Sequence, residues 1–547
     1  MSSNQVEFFF QKGLAAHQKG DLKLAESYYQ KIIQMDSNHS DAYHLIGVIN
    51  SEQGKNEKAI ENIKKAIQLS KNEIYLNSLG VIYLRQGNIQ DAIMFFKKAL
   101  AYDDKYSDAY NNLGQAQLIV GDIYESTKNF HKGLISAYNA PQLFSNYLMS
   151  LNYNPIMSPE KIYNEHFKYN ELFHSCRKYD HQFDKNKKKL KIGYVSSDFC
   201  QNSVAYFVES ILKYHDRNHF EIYCYSDVIQ SDEITHRLKQ YASKWVNCLA
   251  MTDDQMTECI YNDEIDILVD LSGHFSGNRL PVFAQQPAKI QVTYLGYPNT
   301  TGLSSIQYRF TDAISDPDTL DSFYSEHLVK LENGFLCYHP QHDSSDVSSL
   351  PAEKNGFITL GSFNNLAKVN QTVIQTWAKI LCQMPDAKLL LKARPLSDKK
   401  TQDYIINKFV SNGAKKDQIQ CMGFLDSIQS HFEAYHYVDL ALDPFPYNGT
   451  TTTCDALWMG VPVVTKCDIT HAGRVGSSIL THVGLNDFIS NSTEAYIAKT
   501  VSICNNISLL KNMRKHIRTI FQNSPLMDGK RFTEKLEQTY QKIWQQL

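Results

Sequence analysis

Small and apolar residues recur with a fixed period along residues 6–140. Two columns of glycines repeat at intervals of 33 or 34 residues, and they comprise Gly13, Gly47, Gly80 and Gly114, then Gly20, Gly54, Gly87 and Gly121. Aromatic or aliphatic residues lie between the columns, and an Ala-x6-Ala pattern follows them, as at Ala59 and Ala66. This pattern predicts two antiparallel helices in each repeat, packed against each other through the small residues.

The period and its small-residue columns are the tetratricopeptide signature, present in about four copies. Repeats of this kind stack into a superhelix whose concave face binds extended peptide. A repeat array can also act only as a scaffold or join two copies of a chain, so these alternatives stay open.

Beyond the repeats the hydrophobic pattern changes twice. Residues 141–188 lack the repeat columns and predict a helical connector. Short apolar runs then alternate with helical stretches over residues 189–345 and again over 355–525, and the clearest strands begin at Leu190, Phe220, Ile265, Ile290, Phe357, Lys388 and Val438. This alternation predicts two Rossmann-like lobes with parallel sheets, and residues 526–547 predict a C-terminal amphipathic helix. The fold class is therefore α + α/β, with an α-solenoid before a double Rossmann-like module.

One stretch of the second lobe carries candidate chemistry. An apolar strand ends at Leu442, Asn448-Gly449 makes a turn, and four threonines from Thr450 to Thr453 open a short helix. The unpaired N–H groups and positive dipole of a helix start bind phosphate, and hydroxyls add donors. Asp455, one turn inside, is placed to accept hydrogen bonds from ribose hydroxyls. The alternative is an ordinary N-cap, for which one threonine suffices, so four threonines favour a diphosphate site.

Composition restricts the class of protein. The net charge is −3 and the pI is near 6.7, which gives no electrostatic reason to expect nucleic acid or an anionic membrane as partner. No apolar run approaches the roughly 20 residues that span a bilayer, and the first residues lack a secretory signal pattern. The 11 cysteines are scattered without a C-x-x-C pair, as in reduced cytosolic proteins. We therefore expect a cytoplasmic protein.

Four motifs in the same order resemble the tetratricopeptide-linked protein O-glycosyltransferases, which comprise the O-GlcNAc transferases and the SPINDLY-type O-fucosyltransferases. The motifs span Gly193–Phe199, Leu295–Gly302, Gly361–Lys368 and Pro446–Thr453, and the resemblance covers almost the whole chain. It implies a two-lobed GT-B type fold and inverting transfer onto Ser or Thr hydroxyls of proteins. It also implies a nucleotide-sugar donor and no metal, so we interpret Asp316-Pro-Asp318 as a turn and not as a metal-binding D-x-D.

The resemblance also assigns roles to individual residues. Lys368 matches the lysine that neutralises the leaving diphosphate, and Asn365 lies next to the phosphates. Thr450, Thr451 and Thr452 match positions beside the diphosphate and donor sugar. Asp455 matches a ribose contact, and His431 matches a histidine near the nucleotide base. Leu295, Gly296 and Pro298 match a backbone turn that packs on the donor sugar. His471 and Arg474 could reach the phosphate side.

Two positions depart from the family pattern. Asn202 stands where many members carry a histidine that is proposed as the base or as the group that positions the acceptor. An amide cannot take a proton, although it can hold a hydroxyl by hydrogen bonding. We name His274 as the substitute base, with Asp198, Asp270 or the phosphate of the donor as alternatives.

The second departure is Ala434, where animal O-GlcNAc transferases have arginine, and it brings the chain nearer to the SPINDLY type. We favour UDP-GlcNAc as the donor, with GDP-fucose as the alternative. A peptide-binding scaffold without turnover is the competing class; the intact diphosphate motif argues against it.

Overall fold

The computed structural model describes residues 3–137, 140–340 and 345–546. The chain divides into two units. The first comprises Met1–Leu143 with Pro395–Tyr404, and the second comprises Phe144–Arg394 with Ile405–Leu547.

The first unit contains four helical hairpins. Their helices α1 to α8 span Ser3–Gln18, Leu22–Met35, Ser40–Glu52, Asn56–Leu69, Glu73–Arg85, Ile89–Tyr102, Ser107–Ile119 and Ile123–Ser136. The structure confirms the predicted repeat helices, and the family comparisons below agree.

Steric fit explains the first glycine column. A Cβ on Gly13 would lie 2.4 Å from the ring of Tyr29, and one on Gly80 would lie 2.5 Å from the ring of Phe96. Real Cβ atoms do not approach so closely, so glycine allows the large side chain of the second helix to pack on the backbone of the first. Glycines of the second column have φ of 74° to 80° and turn the chain between the helices.

The fourth repeat carries serine where the other three carry alanine. Ser126 is fully buried, and its hydroxyl donates to the carbonyl oxygen of Gly114 at 2.7 Å. The hydroxyl thus satisfies its hydrogen-bonding need inside the hairpin, so the small-residue column is preserved.

The second unit contains two sheets in which all strand pairs are parallel. Strands β1 to β7 span Leu190–Ser196, Phe220–Ser226, Lys244–Asn247, Ile267–Asp270, Ile290–Thr293, Tyr308–Thr311 and His327–Lys330. They form a 7-stranded sheet in the order β3-β2-β1-β4-β5-β6-β7. Strands β8 to β13 span Thr359–Ser362, Lys388–Lys392, Ile419–Met422, Leu440–Leu442, Val463–Lys466 and Ile489–Ser490. They form a 6-stranded sheet in the order β10-β9-β8-β11-β12-β13, so two Rossmann-like lobes are present as predicted.

The helices that follow the repeats in the chain are α9 to α23. Helices α9 to α16 span Pro141–Leu151, Pro159–Tyr169, Ser203–Tyr214, Glu233–Lys239, Asp253–Asn262, Leu280–Ala284, Pro351–Asn355 and Gln371–Gln383. Helices α17 to α23 span Lys399–Ser411, Ile428–Glu433, Thr451–Trp458, Val475–Val483, Thr493–Cys504, Ile507–Gln522 and Gly529–Gln545. None of the helices within the described ranges is long and apolar enough to cross a membrane.

Two helical segments pack on the first lobe. A Cβ on Gly302 would lie 2.0 Å from the carbonyl oxygen of His166, so the glycine permits the connector helix α10 to approach. The C-terminal helix α23 returns to the same lobe: Glu537 contacts His215 at 2.9 Å, and Tyr540 lies 3.1 Å from the Tyr194 hydroxyl. The predicted C-terminal helix is therefore part of the first lobe's packing, although it follows the second lobe in sequence.

Candidate functional site

The candidate site lies at the carboxyl ends of β8 and β11, which are neighbours in the second sheet. Ligands of parallel α/β sheets bind at such strand ends. The loop after β8 carries Asn364 and Asn365 and leads into a short 3₁₀ helix, Leu366–Lys368. Asn365 stabilises this helix by accepting from the backbone N–H of Ala367 at 3.1 Å. The loop after β11 runs through Asn448 and Gly449 to the start of α19.

Two side-chain contacts join these loops. Thr452 Oγ1 donates to Asn364 Oδ1 at 2.9 Å, and Lys368 Nζ donates to the carbonyl oxygen of Asn448 at 2.7 Å. The structure thus brings together the predicted diphosphate residues of two sequence motifs about 80 positions apart.

The threonines at the start of α19 have different environments. Thr450 occupies the N-cap position, but its side chain makes no capping hydrogen bond. Thr450, Thr451 and Thr452 are partly exposed, whereas Thr453 is buried and donates to the carbonyl oxygen of Gly449 at 3.1 Å. An ordinary N-cap therefore does not explain the threonine run, and three partly exposed threonines lie at a helix start.

Lys368 is a partly buried cation beside this helix start. Burial lowers the pKa of Lys368 to about 8 because the ammonium loses hydration, and the negative charge of Asp443 acts in the opposite direction. Asp443 accepts from Gly449 N–H and from the Thr465 hydroxyl, each at 2.6 Å. Burial raises the pKa of Asp443 to about 7. A doubly negative diphosphate next to Lys368 would favour its charged form.

Asp455 belongs to a chain of four polar side chains. Its Oδ1 accepts from the Tyr338 hydroxyl at 2.7 Å, and its Oδ2 lies 3.2 Å from His431 Nε2. Lys392 Nζ lies 2.5 Å from His431 Nδ1. An ammonium can only donate, so Nδ1 accepts and Nε2–H donates to the carboxylate.

Lys392 and Tyr338 were not predicted from the sequence. Burial lowers the pKa of Lys392 to about 8, against the opposing effect of Asp455. The one signal that could have found Lys392 is its place at the carboxyl end of β9, next to β8 in the sheet. Tyr338 follows the first sheet and carries no such signal; it reaches Asp455 only because the two lobes meet.

The predicted turn at Leu295, Gly296 and Pro298 directly follows β5. Leu295 has a φ of 71°, in the left-handed region that costs energy for a side chain with a Cβ. A Cβ on Gly296 would lie 1.9 Å from the carbonyl oxygen of Leu271. Both Leu295 and Gly296 are partly exposed, so the turn presents backbone at the end of the strand.

The position of His274 argues against its predicted role as base. The side chain is buried, with 1% of its surface exposed. Its Nε2 donates to the carbonyl oxygen of Thr301 at 2.8 Å, and Nδ1 accepts from the Ser145 hydroxyl at 3.0 Å. Burial lowers the pKa of His274 well below its ordinary value. Both ring nitrogens are occupied, so this geometry fits a packing residue better than a group that meets substrate.

Asn202 and Asp198 form a polar pair before α11. Asn202 Nδ2 donates to Asp198 Oδ1 at 3.0 Å, and both residues are partly exposed. Burial raises the pKa of Asp198. Asp270, the other carboxylate considered from the sequence, is buried; it accepts from the N–H groups of Ser272 and Gly273 and thus holds the strand end. Asp198 is therefore the better placed of the two alternative carboxylates.

Asp316-Pro-Asp318 lies at a bend that leads into a short 3₁₀ helix, in line with its interpretation as a turn, but its two aspartates have different environments. Asp316 is fully buried and accepts from His471 Nδ1 at 2.7 Å and from the Tyr324 hydroxyl at 2.6 Å. Asp318 is exposed and pairs with Lys330. The motif thus joins the first lobe to the 3₁₀ helix His471–Gly473 of the second lobe.

The side chains of His471 and Arg474, considered for the phosphate side, are held by partners in the first lobe. His471 is occupied by Asp316, and Arg474 Nε donates to the carbonyl oxygen of Ile314 at 2.7 Å. Both residues act in the contact between the lobes, which the sequence could not indicate because their partners lie about 155–160 positions earlier. Among the described residues, no group of three or more His, Cys, Asp or Glu is arranged to hold a metal ion; independence from metal stays a prediction.

Comparison with protein families matches this architecture. A model described as Glycosyl transferase family 41 matches residues 167–347 and 348–536. Tetratricopeptide repeat models match residues 6–39, 28–61 and 50–110.

Individual relatives are similar over the same region. A Petunia hybrida protein described as probable UDP-N-acetylglucosamine–peptide N-acetylglucosaminyltransferase SPINDLY is 37% identical over 407 residues, which cover 73% of this chain and 44% of that protein. The Hordeum vulgare protein of the same description is 38% identical over 406 residues, covering 73% and 43%. This chain thus spans less than half of the length of these plant relatives.

A solved structure extends the similarity to the whole chain. An O-GlcNAc transferase mutant from Thermobaculum terrenum matches with a TM-score of 0.82 and 28% sequence identity, covering 100% of this chain and 99% of that chain.

Proposed function

This chain belongs to glycosyl transferase family 41, and on that premise we propose that it transfers a sugar from a nucleotide donor to Ser or Thr hydroxyls of proteins, with inversion and without a metal. The observation that carries the proposal is the convergence of Lys368, Asn364 and Thr452 at the ends of β8 and β11, with Asn365 in the same loop as Lys368. A helix start, three partly exposed threonines and an ammonium would together hold a leaving diphosphate.

The chemistry follows from where charge develops. When the bond to the sugar breaks, negative charge grows on the departing phosphate oxygens, and fixed donors aimed at them lower the barrier. The N–H groups at the start of α19 and the ammonium of Lys368 supply these donors. His431 and Asp455 lie on the same side of the second lobe and would bind the base and ribose of the nucleotide.

The acceptor hydroxyl must lose its proton. We place this hydroxyl at Asn202, whose amide can hold it, and we assign Asp198, the hydrogen-bonded partner of Asn202, as the candidate proton acceptor. Burial raises the pKa of Asp198, which brings a carboxylate closer to the range useful for a general base. Transfer of the proton to the donor's own phosphate is the alternative.

UDP-GlcNAc is the donor that we favour. The plant relatives and the Thermobaculum protein are described by their transfer of N-acetylglucosamine. GDP-fucose is the alternative donor, since Ala434 and the motif Asn364-Asn365-Leu-Ala-Lys368 resemble the SPINDLY type. The tetratricopeptide repeats of the first unit would bind the acceptor protein as extended peptide.

Thermal unfolding in the presence of EDTA would test the donor. Selective binding stabilises the folded state, so UDP and UDP-GlcNAc should raise the melting temperature more than GDP and GDP-fucose. The matched control is Lys368→Met, which should lose most of the shift with each nucleotide that the wild type binds.

Each outcome has a distinct meaning. A shift with GDP compounds alone would assign the chain to fucosyl transfer. A folded sample that responds to none of the four would contradict the transferase proposal and support the scaffold.

A further inference from the structure

The ammonium of Lys368 rests between a carbonyl and an aromatic ring. Nζ donates to the carbonyl oxygen of Asn448 at 2.7 Å and lies 4.2 Å from the centroid of the Tyr447 ring. Among the residues that the structure describes, no carboxylate forms an ion pair with Lys368. The nearby carboxylate of Asp443 is engaged by Gly449 and Thr465 instead. The face of Tyr447 is thus one of the electrostatic partners of this cation.

The Tyr447 ring is itself held in place. It stacks on Tyr153 with centroids 4.8 Å apart and an interplanar angle of 29°, and the exposed fractions of the two residues are 8% and 5%. Tyr153 follows α9, outside the nucleotide-binding lobe, so a second element of the fold fixes the plane of the ring. A ring fixed before the donor binds presents its negative face to Nζ without further ordering.

We propose that Tyr447 is a positioning residue that holds the Lys368 ammonium beside the start of α19 until the donor diphosphate replaces the ring as its partner. The inference rests on the proposed function of Lys368. It assigns to Tyr447 a role that the family resemblance and the sequence motifs did not suggest.

The proposal makes the proton affinity of Lys368 depend on the ring. Burial favours the neutral amine, whereas Asp443 and the ring face favour the ammonium. The other titratable neighbours, Tyr447, Tyr153 and Tyr297, have pKa values that burial raises far above neutrality. These tyrosines therefore stay uncharged in the range of interest. Asp443, whose pKa burial raises to about 7, titrates in wild type and variants alike, so removal of the ring should lower the pKa of Lys368 between them.

The test measures UDP affinity by calorimetry between about pH 6 and 9.5. Tyr447→Leu should move the alkaline loss of affinity to lower pH by about 0.5 to 1.5 pH units, the range expected for one cation–π contact. At about pH 6, where most of Lys368 is charged in both proteins, affinity should differ by no more than about threefold. Tyr447→Phe keeps the ring face and should retain the wild-type profile.

Two further variants separate this role from general packing. Tyr447→Met also removes the ring but fills irregular space, so it should move the profile as Tyr447→Leu does and serves if the leucine variant does not fold. Tyr223→Leu removes a ring that contacts Lys191 and Lys244 in the first lobe, and it should leave the profile unchanged. The proposal would be overturned if the alkaline loss of UDP affinity stayed at the wild-type pH in both Tyr447→Leu and Tyr447→Met. It would also be overturned if Tyr447→Phe shifted this loss to lower pH as much as they do.

A donor-free measurement keeps the outcome independent of the proposed function. The Lys368 ε-carbon, labelled with ¹³C and assigned through Lys368→Arg, reports the protonation of the amine by NMR titration. If the wild type binds no nucleoside diphosphate, the transferase proposal fails, while the titrations of wild type and Tyr447→Leu still decide whether the ring holds the charge. Identical titrations would contradict the role of Tyr447 alone.

Discussion

Asp316→Asn should destabilise the second unit strongly, because it removes one charge from a buried pair between the lobes. Asp316 and His471 side chains are 0% and 2% exposed, and their contact is 2.7 Å. Burial disfavours the carboxylate, but the attraction of His471, Arg309 and the Thr311 hydroxyl outweighs it, so the pKa of Asp316 lies well below its ordinary range. An amide of the same shape keeps one acceptor oxygen, so it cannot serve both Tyr324, which bonds Oδ1, and the donors His471 and Thr311, which bond Oδ2.

The expected loss is about 3–5 kcal/mol of unfolding free energy, the range for breaking a buried ion pair by removing one partner. A depressed carboxylate pKa contributes stability above the unfolded value near 4, and this contribution is lost as the pH falls further. The difference in unfolding free energy between wild type and variant should therefore be largest at about pH 7 and should decrease below about pH 4.

Urea unfolding followed by circular dichroism would measure this loss. Asp318→Asn is the matched control, since it changes the other aspartate of the same motif, which is exposed, and it should have little effect. A double-mutant cycle with His471→Gln should give a coupling energy of about 2 kcal/mol. An Asp316→Asn loss below about 1 kcal/mol, or a coupling energy near zero, would refute the reasoning.

Three further predictions concern the site. Lys368→Met should lower sugar transfer from the preferred donor by about 10²–10³-fold in a radiolabel assay, with the melting temperature nearly unchanged; a loss below tenfold would contradict its role at the leaving group. Lys392→Met should weaken UDP binding about tenfold, because His431 loses a charge-assisted hydrogen bond. If calorimetry found equal UDP affinity in wild type and variant, Lys392 would not hold His431 for nucleotide binding. His274→Gln should keep near-normal turnover. Because the folded-state pKa of His274 is lowered, the wild type loses unfolding free energy as the pH falls below about 6.5. In urea unfolding, the variant should reduce this dependence of unfolding free energy on pH by about 1.4 kcal/mol per pH unit. An unchanged pH dependence, or abolished turnover in a folded variant, would contradict a packing role.

Two strands that the sequence did not indicate, β3 and β6, each have a physical reason. Residues of β3, Lys244–Asn247, are all at least partly exposed on the edge of the first sheet, so no apolar run marks them. In β6, Tyr308–Thr311, the fully buried Arg309 interrupts the apolar pattern; its guanidinium donates to the carbonyl oxygen of Asn299 at 2.8 Å. A hydrophobic pattern cannot reveal a strand whose polar side chain finds its partner only in the folded lobe.

The sequence by itself determined the elements that repeat or alternate. Glycine columns such as Gly13 and Gly20 specify the helical hairpins, because close packing and a left-handed turn each require glycine locally. Alternating apolar runs specified the parallel sheets, and the threonine run from Thr450 specified a helix start, since these signals depend on residues close together in the chain.

The tertiary structure decided the partners of the polar side chains. It buried His274 against Ser145 and Thr301, turned Asp316 into a link with His471, and placed Tyr447 beneath Lys368. In each case the partner is decided by which strand ends and lobes meet in space. Burial and pairing then fix whether a titratable group is exposed to substrate or enclosed, and neither quantity is present in the order of the residues alone.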